Sequence, residues 1–437
     1  MEEEKKKKTG AKKKKKSLFI RPKKKSKPKD ANQNVTFMKL GRGLRRGGAT
    51  VTRYSKRLFT GFNDFTSGKN DEKIADFVKK RVSWANRVSF SGFVVGSIAL
   101  LAVMLLLLNN TSIQVEEKTI SIAGLSSDFE GYRIVLLSDL HGREYGDEQA
   151  SLLRSLNALK YDMMILAGDM VGRGGNAEPL YHLLSGKTSS APVYFIAGDS
   201  DPGPLVAEPR EAEGTLENFV LEDWILGAID RGATYLDAPI LIEKGSSKLW
   251  LTPESMLDTE ASPLLSRLNA QYRAESSAYI EGVEAARVAL PLTAWRVQCA
   301  EKLLTAVTRM ESEDLHIAVA HFPPIEHYNA ASGYSDSGML RTADLVLAGH
   351  YCGGGWKIPF FGALYVPAVE APRHGWFPDQ SLVEGERRLG NVTVYTTGGL
   401  SVTDAIAVPK FRLNNQPKIT VLTLTAALTD DLLGIGG

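Results

Sequence analysis

Seven side chains of the kind that hold transition metals stand just beyond short apolar runs. Asp139 and His141 follow YRIVLL, Asp169 follows MMILAG, and Asp199 follows VYFIAG. His321 follows LHIAVA, and His350, with Cys352 two places on, follows ADLVLAG. Carboxylates, imidazoles and a thiolate together suit zinc, iron or manganese, and the thiolate is a poor partner for magnesium or calcium. Each residue alone has an ordinary reading: an aspartate after a strand often forms a turn or caps a helix, and a lone histidine is often just a satisfied polar group. Five recurrences at the ends of apolar runs point instead to one site. The other cysteine, Cys299, lies in AWRVQCAEKLL. It could pair with Cys352 in a disulfide or fill a helix core as a small apolar residue, and these alternatives stay open against a metal role for Cys352.

The elements that must position these residues alternate. YRIVLLSD reads as a strand, DEQASLLRSLNALKY as a helix with Leu152, Leu153, Leu156 and Leu159 on one side, and DMMILAGD as a strand. EPLYHLLSG and APVYFIAGD continue the series as helix and strand, and LHIAVAH and ADLVLAGH repeat the strand form later. Such a β-α-β-α-β series predicts an α/β fold in which helices cover a sheet, with ligands outside the carboxyl ends of the strands. NVTVYTTGG and KITVLTLTAAL are expected to close the chain as strands. The interval at about 203–312 reads as an insertion: two strands around a Gly-Ser-Ser turn, then a nearly unbroken helical pattern over 261–311. It is expected to be a helical lid or hairpin beside the strand ends, or packing over one sheet face.

Charge is distributed very unevenly along the 437 residues. Residues 1–87 hold 28 Lys and Arg against 8 acids, and the remainder holds 25 against 42, giving +20 and −17. Residues 1–70 are a basic, low-complexity tail expected to be disordered. Residues 71–87, with Ile74, Phe77, Val78, Val82 and Ala85 near helical spacing among lysines, suit an amphipathic helix on a membrane surface. Residues 88–108, VSFSGFVVGSIALLAVMLLLL, carry no charge and predict a transmembrane helix long enough for about 30 Å of hydrocarbon. Lys79, Lys80, Arg81 and Arg87 before this run, and Glu116 and Glu117 after it, predict a cytoplasmic N-terminus and an extracytoplasmic folded part. The lysine-rich tail is expected to meet anionic lipid headgroups, and no nucleic-acid partner is expected for the acidic remainder.

In order and spacing, SDLHG, LAGDM, IAGDSD, VAHFPP and LAGHYCGG resemble the D-x-H, G-D, G-N-H-D, strand-histidine and G-H-x-H motifs of calcineurin-like metallophosphoesterases. The resemblance covers roughly 113–427 and is nearest to the bacterial membrane-associated branch. It implies a β-sandwich flanked by helices with a two-metal site at one edge. It implies that Asp139, His141, Asp169 and Cys352 hold one divalent metal, and that Asp169 bridges to a second held by Asp199, His321 and His350. It also implies hydrolysis of a phosphomonoester or phosphodiester, from a phosphorylated small molecule or lipid, by a metal-bridging hydroxide.

Three positions depart from the family pattern. Cys352 stands where the family has its last histidine, Asp199 where it has asparagine, and Ser200 where it has the histidine that helps expel the leaving group. The first two keep metal-binding ability. A serine hydroxyl cannot donate a proton near neutral pH, and losing a positioned general acid costs about 10²–10⁴ in rate. Asp201, His327 or His374 could stand in. The same departures fit a weakened phosphoesterase that binds a phosphorylated component or partner protein.

Overall fold

The computed structural model describes residues 76, 79–83, 91–104, 112–208, 214–324, 338–366, 375–403 and 411–427. The basic tail, 1–70, lies outside the described residues. Of the expected juxtamembrane helix, residues 76 and 79–83 are described and are helical. Among the described residues no helix is long and apolar enough to cross a membrane. This overturns the expected single-pass span, and with it the placement of the folded part outside the cell.

The unit Gly96–Gly437 contains two six-stranded sheets. The first draws on β1 (Gln114–Ile122), β2 (Arg133–Leu137), β3 (Met163–Ala167), β4 (Val193–Ile196) and β5 (Ala233–Tyr235). The second draws on β6 (Ile240–Lys244), β7 (Ser247–Pro253), β8 (Leu315–Val319) and β9 (Leu345–Ala348). Two short ribbons pair β10 (Lys357–Ile358) with β11 (Gly362–Ala363) and β12 (Tyr365–Val366) with β13 (Gly375–Trp376). The second sheet is then extended by β14 (Gly385–Leu389) and β15 (Val392–Thr396), and β16 (Lys418–Ala426) returns to the first. The sheet orders are β1-β16-β2-β3-β4-β5 and β14-β15-β9-β8-β7-β6.

The apolar runs are buried on both faces, which is why they read as continuous rather than alternating. Ile134, Leu136, Met163 and Ile165 of the first sheet share one buried cluster with Leu249, Leu251, Ile317 and Leu345 of the second. The opposite faces of β2 and β3, through Val135, Leu137, Met164 and Leu166, pack against Leu152 and Leu156 of α1 (Ala150–Leu156) and Leu180 and Leu183 of α2 (Glu178–Gly186).

The interval 203–312 is built into both sheets. It supplies α3 (Leu216–Val220) and α4 (Asp223–Ile229), then β5, which lies parallel beside β4. The Gly-Ser-Ser turn then closes an antiparallel pair, β6 with β7, whose register runs from Ile240↔Leu251 to Lys244↔Ser247. The helical pattern divides at Gly282, where φ is +83°, into α5 (Ala261–Ile280) and α6 (Glu284–Arg309). Ala261, Leu303 and Ala306 of these helices pack on Trp250, Ala318 and Val346, over the outer face of the second sheet. α7 (Gln380–Val383) completes the helices. Because β2, β3, β4, β8 and β9 align in parallel within their sheets, the loops after them can share one edge of the fold.

Candidate metal centre

Interloop main-chain bonds set the frame. Asp139 N donates to Gly168 O (3.1 Å), His141 N to Asp169 O (2.9 Å) and Gly142 N to Met170 O (3.0 Å). Gly349 N donates to His321 O (3.1 Å), while Leu400 N and Ser401 N reach Ser138 O and Asp139 O. The loops after β2, β3 and β15 are thereby tied together, as are those after β8 and β9, and Thr397 N on Ala348 O (2.9 Å) joins the two sets. Asp139, His141, Asp169, His350 and Cys352 all adopt left-handed backbone, with φ of 55°, 49°, 54°, 74° and 50°. Such conformations are uncommon for residues other than glycine and concentrate where the surroundings enforce them. The neighbours must be small: a Cβ on Gly198 would collide with the Asp169 carboxylate, and one on Gly168 with the His321 ring.

Seven expected ligands fall into two groups. Asp169, Asp199, His321 and His350 form one, Asp139, His141 and Cys352 the other, and within each group one ligand-type atom per residue lies within 4.8 Å of the others. The groups meet at a single oxygen: Asp169 Oδ2 is 3.3 Å from His321 Nε2 and 3.6 Å from His141 Nε2. In the first group Asp199 Oδ1 is 3.1 Å from His321 Nε2 and 3.2 Å from His350 Nδ1, and those two nitrogens are 3.3 Å apart. In the second, Cys352 Sγ is 3.9 Å from His141 Nε2.

The donor set fits metal. His321 Nδ1 donates to Ala167 O at 2.8 Å, which assigns the ring proton to that side and leaves the Nε2 lone pair facing Asp169, Asp199 and His350. Ser138 Oγ donates to Asp139 Oδ2 at 2.5 Å, whereas the buried Asp139 Oδ1 has no partner among the described residues. In the protein alone, burial opposes charge throughout the site. Hydrogen bonds with His321 overcome it at Asp169 and, together with His350, at Asp199, so both carboxyls sit below the ordinary range. Burial would lower His321, but Asp169 and Asp199 hold its pKa well above the usual value. Burial, followed by Asp139, pushes the Cys352 thiol well up. A cation held by Asp139, His141 and Cys352 would reverse that, because a coordinating thiol is deprotonated outright.

Ser200 and Asp201 take different places from the ligands. Ser200 is buried and its main-chain N–H donates to Asp169 Oδ1 at 2.8 Å, so it steadies the oxygen on the other side of that carboxylate. Asp201 is gripped by main-chain donors. Its Oδ1 accepts from Val171 N and Gly172 N at 2.7 and 2.8 Å, and its Oδ2 from Gly198 N at 2.9 Å and Met170 N at 3.3 Å. It binds the Asp169 loop to the Asp199 loop, and burial, followed by Asp169, pushes its carboxyl up. His327 and His374 lie outside the described residues. Cys299 and Cys352 are both free thiols, and Cys299 Sγ donates to Asp237 Oδ2 at 3.2 Å.

Sequence reasoning missed Arg412. This side chain is fully buried and donates to five main-chain carbonyls: Asn415 (2.9 Å) through Nε, Gly399 (3.1 Å) and Ser401 (2.6 Å) through Nη1, Gly398 (2.6 Å) and Cys352 (2.9 Å) through Nη2. Asn415 Nδ2 adds a bond to Cys352 O at 3.0 Å. Together they fasten the Cys352 turn to the loop that caps Asp139. No periodicity or motif marks an arginine in FRLNNQPK for such a part.

Residues 132–353 match the calcineurin-like phosphoesterase family, just over half of the 437 residues. No curated protein matches the chain. Among solved structures, the phosphopantetheinyl hydrolase PptH from Mycobacterium tuberculosis is similar at 14% identity and a TM-score of 0.31, over 62% of this chain and 91% of that one.

Proposed function

The chain belongs to the calcineurin-like phosphoesterase family, and from that premise we propose that it hydrolyses a phosphomonoester or phosphodiester at a pair of divalent transition metal ions. The observation that carries the reading is the position of Asp169 Oδ2, 3.3 Å from a histidine of one ligand group and 3.6 Å from a histidine of the other. Asp139, His141, Asp169 and Cys352 would hold one ion, and Asp169, Asp199, His321 and His350 the other. When bound, a metal pair lowers the pKa of a shared water and clamps the phosphoryl oxygens for in-line displacement. The protein's own part is positional. Ser200 N and Asp201 fix the Asp169 carboxylate and its loop, Ala167 O fixes the His321 tautomer, and Arg412 fixes the Cys352 turn.

The thiolate at 352 biases the site of Asp139, His141 and Cys352 toward zinc or iron and away from magnesium. With serine at 200, esters whose alcohols need little protonation on leaving are the favoured substrates. The test is elemental analysis of the full chain purified without chelators, alongside Cys352→Ala, with hydrolysis of p-nitrophenyl phosphate and bis(p-nitrophenyl) phosphate as the functional readout. About two ions per wild-type chain, one fewer in the variant, and metal-dependent release of nitrophenol are expected. A wild-type chain that stays metal-free after incubation with zinc, manganese or iron, and cleaves neither ester, overturns the reading.

A further inference from the structure

A cavity of about 540 Å³ opens beside the Asp169, Asp199, His321 and His350 group, with Asp199 and His321 in its wall. That volume lies within the range of about 300–1,000 Å³ typical of small-molecule sites. Its lining is largely apolar and comes from several elements: Leu205 beyond β4, Met256 beyond β7, Phe322 beyond β8 and Trp295 on α6. Trp295 is only 7% exposed, although it belongs to a helix whose C-terminal half is committed to the far face of the second sheet. α6 therefore does two things, covering a sheet and presenting one aromatic face to the space next to the candidate metal centre.

The polar lining residues divide by exposure. Cys299 is buried and donates to the partly buried Asp237, and burial pushes both groups up, toward their uncharged forms. Arg296, the one arginine or lysine in the lining, is exposed and has no hydrogen bond or ion pair among the described residues. The part of the cavity around Cys299 and Asp237 thus disfavours charge and, with Trp295, Leu205 and Met256, offers aromatic and aliphatic surface away from Asp199 and His321.

Resting on the phosphoesterase reading, we propose that this cavity is the subsite for the alcohol half of the substrate, and that it selects phosphoesters of bulky, uncharged, aromatic or apolar alcohols, with Trp295 as its specificity-determining residue. A phosphoryl group held at Asp199 and His321 would border this space, which leaves room for the alcohol half beside it. In the reaction water adds to phosphorus, the bond between phosphorus and the ester oxygen breaks, and the alcohol departs with a proton from that water. The position of α6 makes the 261–309 hairpin the part of the chain that sets substrate choice.

The test compares 2-naphthyl phosphate with phenyl phosphate, esters of similarly acidic alcohols that differ by one ring, on the full chain supplied with zinc, manganese or iron. The wild-type kcat/KM ratio should favour naphthyl by about tenfold, the scale for taking one more ring out of water. Trp295→Ala should bring the ratio close to one while inhibition by inorganic phosphate is unchanged. Ser255→Trp, which fills the cavity from an exposed lining position, should also depress naphthyl turnover more than phenyl and does not depend on a core substitution folding. A wild-type ratio near one, or a ratio that neither variant moves, overturns the subsite while leaving phosphoester hydrolysis intact. If neither ester is cleaved by the metal-supplied chain, the phosphoesterase reading fails and takes the subsite with it.

Discussion

Replacing Arg412 with methionine removes the charge and all five donors while keeping an unbranched side chain of similar reach. Of the five carbonyls it serves, two keep another donor: Cys352 O has Asn415 Nδ2 at 3.0 Å, and Gly399 O has Lys418 N at 3.0 Å. Gly398 O, Ser401 O and Asn415 O lose the only donor they have among the described residues. A buried polar group left without its partner costs about 1–3 kcal/mol, so Arg412→Met should lose about 3–9 kcal/mol. Where a buried arginine merely fills space, an apolar replacement of similar volume is often neutral or stabilising. The sign of the effect therefore discriminates. Urea unfolding followed by tryptophan fluorescence measures it, and Arg412→Lys serves where the methionine variant does not fold. Lysine keeps the charge but carries three donors on one nitrogen in place of five in a fixed fork. It should lose part of the same stability and bind metal more weakly at the Asp139, His141 and Cys352 group. An Arg412→Met chain within about 1 kcal/mol of wild type would refute the reasoning.

Asp201→Asn presents an amide nitrogen to two of the four main-chain N–H groups that the carboxylate now serves. It should lower stability by about 2–6 kcal/mol and loosen metal, read by thermal unfolding with and without zinc. Glu384 is gripped by Lys357 at 2.5 Å and by Lys418. Burial would raise its pKa, but the two lysines hold it below the ordinary value of 4.5. A depressed carboxyl stabilises the fold above its unfolded pKa and loses that contribution as pH falls through the folded value. Glu384→Gln should therefore cost about 3–5 kcal/mol at neutral pH, and the gap to wild type should close only below about pH 4.5 in acid-unfolding curves. Ser200→His should raise turnover of esters with poor leaving groups by about 10²–10⁴, with little gain on nitrophenyl esters and unchanged metal content.

The site was legible because its residues sit where apolar runs stop, and a run that stops at a polar side chain marks the end of a buried strand. Asp139, Asp169, Asp199, His321 and His350 all carry that mark. Asp201 carries it too and is consumed by backbone amides, because the pattern locates a strand end without saying which way a carboxylate turns. The hairpin around Gly245 was equally readable, since its register is local. That β5 joins the first sheet while β6 and β7 join the second depends on pairing with strands far away in the chain, and composition over 203–312 holds no trace of it. The apolar segment at 88–108 shows the opposite limit, for its hydropathy predicts a span, whereas among the described residues no helix is long and apolar enough to cross a membrane.

Left-handed backbone at five candidate ligands is what spacing could not convey. Each such position costs about 1–3 kcal/mol outside glycine, least for aspartate, and persists only where the surroundings over-determine it. The determinants are the bonds that tie one loop to the next: Asp139 N to Gly168 O, His141 N to Asp169 O, Ser401 N to Asp139 O, and Arg412 to Cys352 O. None of these bonds lies within a single motif. The segments around Asp139, Asp169 and His350 are therefore parts of one strained assembly, and Cys352 sits in a turn whose shape is set from outside by Arg412 and Asn415. Because the turn is held through the main-chain carbonyl of Cys352, a Cys352→His variant is expected to keep the turn while exchanging the thiol for an imidazole, with elemental analysis after zinc and iron loading reading any change in the metal taken up.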